Sequence, residues 1–221
     1  MELKIKFQKP EFYFKNINEF PFPEIFEVGN VLEVFDRTKE KLGNFKESRI
    51  DGIVEKNVRM EGKVILEEGA KILDGTYIVG PVYIGKNTRV GPNAYIRPYT
   101  IIGENCQVGS REIKNSVLMN NVEVNHHGYI GDSILGNKVH FGAGVVTANL
   151  RFDGKNVFEG RRKLGAVIGD NSQIGVNATT LPGTFIGPNS WIYPGVVAKG
   201  FIPENSVLKW KNSNFEIVDK K

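Results

Sequence analysis

The most constraining feature of this 221-residue chain is a spacing of six. Val54, Met60, Leu66, Ile72, Ile78, Ile84, Val90, Ile96, Ile102 and Val108 are consecutive apolar residues at that interval. With 40% hydrophobic residues in the chain, such a run is about a one in ten thousand coincidence before allowing for choice of register. Two residues before most of them stands a small or β-branched side chain: Ala70, Thr76, Val82, Thr88, Ala94, Thr100 or Cys106. One residue after many stands a glycine, as at Gly85, Gly91, Gly103 and Gly109. The register breaks and then returns through Ile168, Ile174, Thr180, Ile186, Ile192 and Ala198, with Ser172, Ala178, Thr184, Ser190 and Val196 as the small partners. Gly169, Gly175 and Gly187 repeat the glycine position.

A period of six fits neither the 3.6-residue helix nor a long alternating strand. It fits short strands joined by tight turns. The large aliphatic and the small residue two before it share the inward face of a strand, and the turn asks for a backbone geometry that glycine or asparagine tolerates. Three hexads make one triangular coil, and stacked coils place like residues above like. The pattern resembles that of the hexapeptide-repeat acyltransferases. The resemblance implies an all-β solenoid, a left-handed parallel β-helix of hexapeptide repeats, with the handedness coming from the likeness alone. Cys106, the single cysteine, then occupies a small core position and is expected to pack rather than react.

Residues 1–50 lack the repeat and are expected to form a small N-terminal α-containing cap. "FPFPEIF" reads as a proline-set entry, and "VLEVFDRTKEKLGNF" places Val31, Leu32, Val34, Phe35 and Leu42 on one helical face ending at Gly43. A helix laid across the unpaired edges of an end coil is the expected role. The β-helix is assigned to residues 51–205, and a short strand with a charged tail to 206–221. No apolar stretch approaches the roughly 20 residues of a spanning helix, and "MELKIKFQKPEF" has no apolar signal core. A cytoplasmic protein without membrane partners is therefore expected. A net charge of +4, from 29 basic against 25 acidic residues, argues for small anions over nucleic acid.

All three histidines fall in one short span, in "NHHGYIGD" and at His140. It coincides with the break in the repeat between Val108 and Ile168, where Ile130, Leu135, Phe141 and Thr147 are partial continuations. Loops leaving a regular solenoid are the natural place to build a site. An insertion follows, "RFDGKNVFEGRRKLG", in which Arg151, Lys155, Arg161, Arg162 and Lys163 outnumber Asp153 and Glu159. The order His126, Tyr129, Gly131, Asp132, Gly142, Ala143, Gly144, Thr147, Asn149 resembles the acetyltransferase domain of bacterial bifunctional glucosamine-1-phosphate acetyltransferase/N-acetylglucosamine-1-phosphate uridylyltransferases. It is more similar still to archaeal sugar-phosphate nucleotidylyltransferases with such a C-terminal domain, a likeness that "RRKLGAVIGD" extends and that covers roughly residues 65 to 205.

That resemblance implies an N-acetyltransferase using acetyl-CoA as co-substrate on an amino sugar phosphate such as glucosamine 1-phosphate. It implies sites shared within a homotrimer and no metal. His126 would be the general base, a role that suits imidazole near neutral pH. Tyr129 and Asn149 would orient the sugar. Arg97 and Lys114 would hold its phosphate, and a backbone N–H near Ala143 would stabilise the thioester oxyanion. His140 stands where the bacterial enzyme has a substrate-contacting asparagine, and either Lys155 or Lys163 takes the place of its substrate lysine. Arg162 joins them as a candidate anion ligand. His127 is expected to point to the opposite face from His126. No glycine-rich nucleotide loop occurs, so the alternative reading is a non-catalytic trimeric module that binds a sugar nucleotide or serves as a scaffold.

Overall fold

The computed structural model describes residues 9–211 and 214–219. Strands of two or three residues, one per hexad, and two six-residue strands at the C-terminal end form three sheets of nine, ten and eight strands, and up to that end every third strand returns to the same sheet. The first sheet includes Val64–Leu66, Val82–Ile84 and Thr100–Ile102; the second, Lys71–Ile72 and Arg89–Val90; the third, Tyr77–Val79 and Tyr95–Ile96. Neighbours within the solenoid pair in parallel, so each turn of chain supplies the hydrogen-bond partners of the next. The protein is therefore an all-β solenoid of hexapeptide repeats.

The register confirms the spacing residue by residue. Leu66, Ile84, Ile102, Leu118, Leu135, Ile168, Ile186 and Ile202 stand in one column. Ile96, Ile113, Ile130, Thr147, Thr180 and Ala198 stand in another. These side chains line a buried interior together with the small partners Ala70, Ala94, Cys106, Ala178 and Val196. Burial pushes the Cys106 thiol pKa up to about 12, with its Sγ donating to the Met119 carbonyl at 3.0 Å. A thiol so held is a packing group, as expected.

Gly91, at φ 101°, serves as expected, but most of the glycines after the aliphatic residue do not. The left-handed position of the turn falls two residues later, on Asn87, Asn105, Asn171 and Asn189, with φ of 56 to 59°. Gly85, Gly103, Gly169 and Gly187 are present because the turns stack closely. A Cβ on Gly169 would lie 2.5 Å from the Pro188 nitrogen, a backbone atom that cannot swing aside. Gly169→Ala is therefore expected to destabilise by ~1 to 3 kcal/mol through overpacking. Gly195, at φ 70° with open space around its Cβ position, should accept asparagine with little change. Thermal unfolding of the two variants checks this; equal losses would mean that φ, not contact, selects glycine.

The N-terminal segment is the expected small α/3-10 cap, but it lies elsewhere than expected. The helix α1 (Pro10–Tyr13), three 3-10 turns and the helix α2 (Val34–Gly43) run along the outer face of the first sheet. Tyr13, Phe14, Phe26, Phe35 and Leu42 bury against Tyr83, Ile101, Val117, Ile134, Val167 and Phe185, the outward-pointing residues of six consecutive strands of that sheet. The reason lies in the strands. The first sheet reads VYI, TII, AVI and TFI, apolar on its outer face too, whereas the second presents Lys71, Arg89, Gln107 and Glu123 outward. A sheet apolar on both faces requires a cover. Polar anchors fix the cover in place. Asp170 accepts from the Lys15 amide at 2.7 Å, and Asn120 donates to the Glu19 carbonyl at 2.9 Å. In the first turn of the solenoid, by contrast, Ile50 and Ile53 remain exposed.

The solenoid ends in an antiparallel hairpin, Ser206–Lys211 with Asn214–Asp219, so what reads as a tail is a strand. Among the described residues, no helix is long and apolar enough to cross a membrane.

Candidate active site

Among the described residues, the chain leaves the stack of repeats once, between Val146–Thr147 of the third sheet and Ala166–Ile168 of the first. The residues around that departure form a hydrogen-bonded cluster. Tyr129, Lys114 and Asn149 come from successive turns of the third sheet, with Lys114 paired in register to Gly131. Gly131 has a local function: a Cβ there would lie 2.2 Å from the Tyr129 hydroxyl, so only glycine lets the phenol lie along its own strand. Asn149 Nδ2 donates to the Tyr129 hydroxyl at 3.0 Å and to Asp132 Oδ2 at 2.5 Å. Asp132, 6% exposed, also accepts from Asn115 Nδ2 at 2.7 Å and lies 3.6 Å from Lys114 Nζ. With Asn149 fixed as donor, the Tyr129 hydroxyl hydrogen is free to be given to a ligand. Burial, reinforced by the Asp132 charge, raises the Tyr129 pKa and keeps that hydrogen in place. Burial also lowers the Lys114 pKa, with Lys163 and Arg97 adding to the effect and Asp132 opposing it.

Beside this cluster is a cleft of about 550 Å3 at the corner between the third and first sheets. Arg97, Lys114, Asp132, Arg162 and Lys163 line it, so four of the anticipated basic residues meet in one place. Arg97 donates to Glu112 Oε1 at 2.7 Å, which raises its pKa and fixes its guanidinium. Lys155 is not part of the cleft lining. It sits in the outer part of the insertion, its amide donating to Asp153.

The histidines occupy other corners. His126 and His127 form a bend between the second and third sheets and both are exposed, so the expected alternation of faces does not apply to them. His126 precedes Tyr129 by three residues, roughly 10 Å of extended chain. Gly144 donates to the His127 carbonyl at 3.0 Å, which sets Ala143 on the next turn at the same corner. His140 faces outward from the second sheet between Glu123 and Gln173, away from the cleft. Among the described residues, no group of three or more His, Cys, Asp or Glu side chains is placed to hold a metal ion.

Two features were not anticipated. Arg111 takes the small-residue position two before Ile113 and lies inside the coil, 3% exposed. Its Nη2 donates to the His126 carbonyl at 2.6 Å and its Nε to the Val124 carbonyl at 3.0 Å, while burial lowers its pKa to about 10. The turn that carries His126 is thus held from beneath by a cation. The signal was legible as an arginine in the small column, with Gly128 on the next turn leaving it room. The second is the pair between Arg161 of the insertion and Asp36 of α2, with the Arg161 guanidinium 5.7 Å from the Phe35 ring centre. No periodicity reports a contact between segments so far apart in sequence.

The stacked hexads and the polar cluster on their outer face define a class, and the chain belongs to the hexapeptide-repeat acyltransferase family. Residues 165–197 match the hexapeptide repeat of succinyl-transferase, and residues 78–162 match the GMPPB C-terminal domain. Within the family it is related to the bifunctional proteins. It is 48% identical over 77% of its length to a bifunctional sugar-1-phosphate nucleotidylyltransferase/acetyltransferase of Sulfurisphaera tokodaii, covering 45% of that protein. It is 42% identical over 75% of its length to the bifunctional protein GlmU of Methanocaldococcus jannaschii, covering 43% of it. The chain thus spans less than half the length of these relatives. The solved polysialic acid O-acetyltransferase OatWY aligns with a TM-score of 0.41 at 18% identity, over 79% of this chain and 87% of that one.

Proposed function

We propose that the chain is an acetyl-CoA-dependent N-acetyltransferase acting on an amino sugar phosphate such as glucosamine 1-phosphate. The observation that carries the reading is the juxtaposition of the Tyr129–Asn149–Asp132 cluster with the Arg97 and Lys114 cations. It offers one hydroxyl hydrogen to a sugar and two cations to a phosphate, in a chain related to proteins named as acetyltransferases.

In the proposed reaction the sugar amine attacks the thioester carbonyl and a C–N bond forms. His126 removes a proton from the nitrogen. The C–S bond then breaks, and the coenzyme leaves as a thiol after taking up a proton. The oxyanion formed in between is held by a backbone N–H near Ala143, where a preorganised donor has its largest effect. Tyr129 and Asn149 orient the acceptor. His126 and Ala143 share one corner and the phosphate cations another, so the acceptor lies along the outer face of the third sheet. His140 and Lys155 do not meet the cleft of their own chain, and in a homotrimer a neighbouring copy brings them to it.

The test is thiol release from acetyl-CoA across a set of amino sugar phosphates. Saturable release with at least one of them, from a species that scatters light as a trimer, is the expected result. Binding of sugar nucleotides without any thiol release would replace this reading with that of a non-catalytic module.

A further inference from the structure

We propose that the N-terminal helix α2 is part of the substrate site, with Lys39 as a ligand of the acceptor's phosphate monoester. The inference rests on the acetyltransferase reading and adds to it a residue outside the repeat.

Docking of the cover along the first sheet brings α2 to the edge of the basic cleft. Phe35 is buried in the cover, while Lys39 and Asp36, three residues apart, are exposed on neighbouring positions of the helix surface. Phe35 and Lys39 line the cleft on the side of α2; Arg97 and Lys114 line it from the third sheet, and Arg162 and Lys163 from the insertion. These cations fall into two groups. Arg97, Lys114 and Arg161 each face a carboxylate, on Glu112, Asp132 and Asp36. Lys39, Arg162 and Lys163 have no carboxylate partner among the described residues. The first group is held in position and the second is left uncompensated around a concave space, where the local potential favours an anion. Asp132 is the one acid in the lining, and it is engaged by Asn149 and Asn115.

The ligand follows from what adjoins the cleft. An anion held there lies beside Asp132, one hydrogen bond away from Asn149 and two from the hydroxyl that would orient a sugar. A phosphate monoester on the acceptor fits that placement because it keeps the sugar beside the Tyr129 hydroxyl and Asn149. The Asp36–Arg161 pair ties the insertion to α2, so Arg162 and Lys163 close the same space from the other side.

The experiment compares Lys39→Gln and Asp36→Asn with the parent. Lys39→Gln should raise KM for the amino sugar phosphate roughly ten- to hundredfold, the scale of one charge-assisted contact. The KM for acetyl-CoA and the Tm should stay unchanged. Asp36→Asn should raise the same KM, and Asp36→Glu should restore it. With the unphosphorylated amino sugar, parent and variant should be equal. A rise in KM for acetyl-CoA alone would assign the cleft to the coenzyme and overturn the proposal, as would no change in either constant. Titration calorimetry with inorganic phosphate provides an arm independent of turnover. Weaker binding by Lys39→Gln supports the site even if no acetyl acceptor is found, and equal binding removes it.

Discussion

His126→Ala is expected to lower the turnover of acetyl transfer by at least ~100-fold, the low end of what positioned proton transfer contributes. The stability of the variant should be close to that of the parent, because the imidazole is exposed on a bend and the hydrogen bonds from Arg111 go to the backbone carbonyl, which alanine keeps. His127→Ala provides the comparison. Its neighbouring bond, from the Gly144 amide to the His127 carbonyl, is likewise independent of the ring, so both variants should fold alike and differ in rate alone. Steady-state thiol release separates them. Equal losses at the two positions would place the base elsewhere in this segment, and a fall in KM along with kcat would point to relief of ground-state strain instead of lost proton transfer.

Asp132→Ala should have the largest effect on the site as a whole. One buried carboxylate organises Asn149, Asn115 and Lys114, and its side chain is 9% exposed. Removing it leaves a half-buried ammonium without its counter-charge, the Asn115 amide without this acceptor and the Asn149 amide with the Tyr129 hydroxyl alone. The cost is about 3 kcal/mol, at the lower end for breaking a buried pair. That corresponds to a fall of roughly 6 to 12 °C in Tm for a chain of this size. Asn149 would then lose one of its two fixed acceptors, and acetyl transfer should fall together with stability. Asp132→Asn is the sharper variant. It keeps the volume but turns an amide donor either toward Asn149 Nδ2 and Lys114 Nζ, which share Oδ2, or toward Asn115 Nδ2, which uses Oδ1, so Tm should recover more than activity does. Unchanged Tm and activity in both would show that the Tyr129–Asn149 contact stands without Asp132.

How far the sequence revealed the molecule depends on which force set each part. The interior was legible because a two-to-three-residue strand and a tight turn leave a periodic trace, down to Thr147 and Ala198 in the column of Ile96. Gly91 was read correctly, but Gly85, Gly103, Gly169 and Gly187 were misread because φ and close approach select the same residue, and only the stacking of the turns distinguishes them. The helix ending at Gly43 was legible from its apolar face, and buries Val34, Phe35 and Leu42. Its destination was not, although the second apolar face of VYI, TII and TFI could have indicated it. In the site, Tyr129, Asn149, Arg97 and Lys114 were reached through a motif, while Asp132 was noted only as part of "GD". Lys39 and Asp36 carry no local pattern that marks them, since their position depends on where a distant helix docks.

The cover along the first sheet has a consequence for how the molecule comes apart. In a bare solenoid each coil touches only the coils above and below, so stability is a sum of nearest-neighbour contacts and the ends can fray one turn at a time. Here a single segment, residues 9–45, lies against Tyr83, Ile101, Val117, Ile134, Val167 and Phe185 in turn. Coils that never touch one another are thereby coupled through a common partner. Peeling one of them away from its neighbours also strips part of the cover from the others. The segment thus acts like a spine bound across the pages, and converts a column that could unravel stepwise into a body whose middle turns are released together.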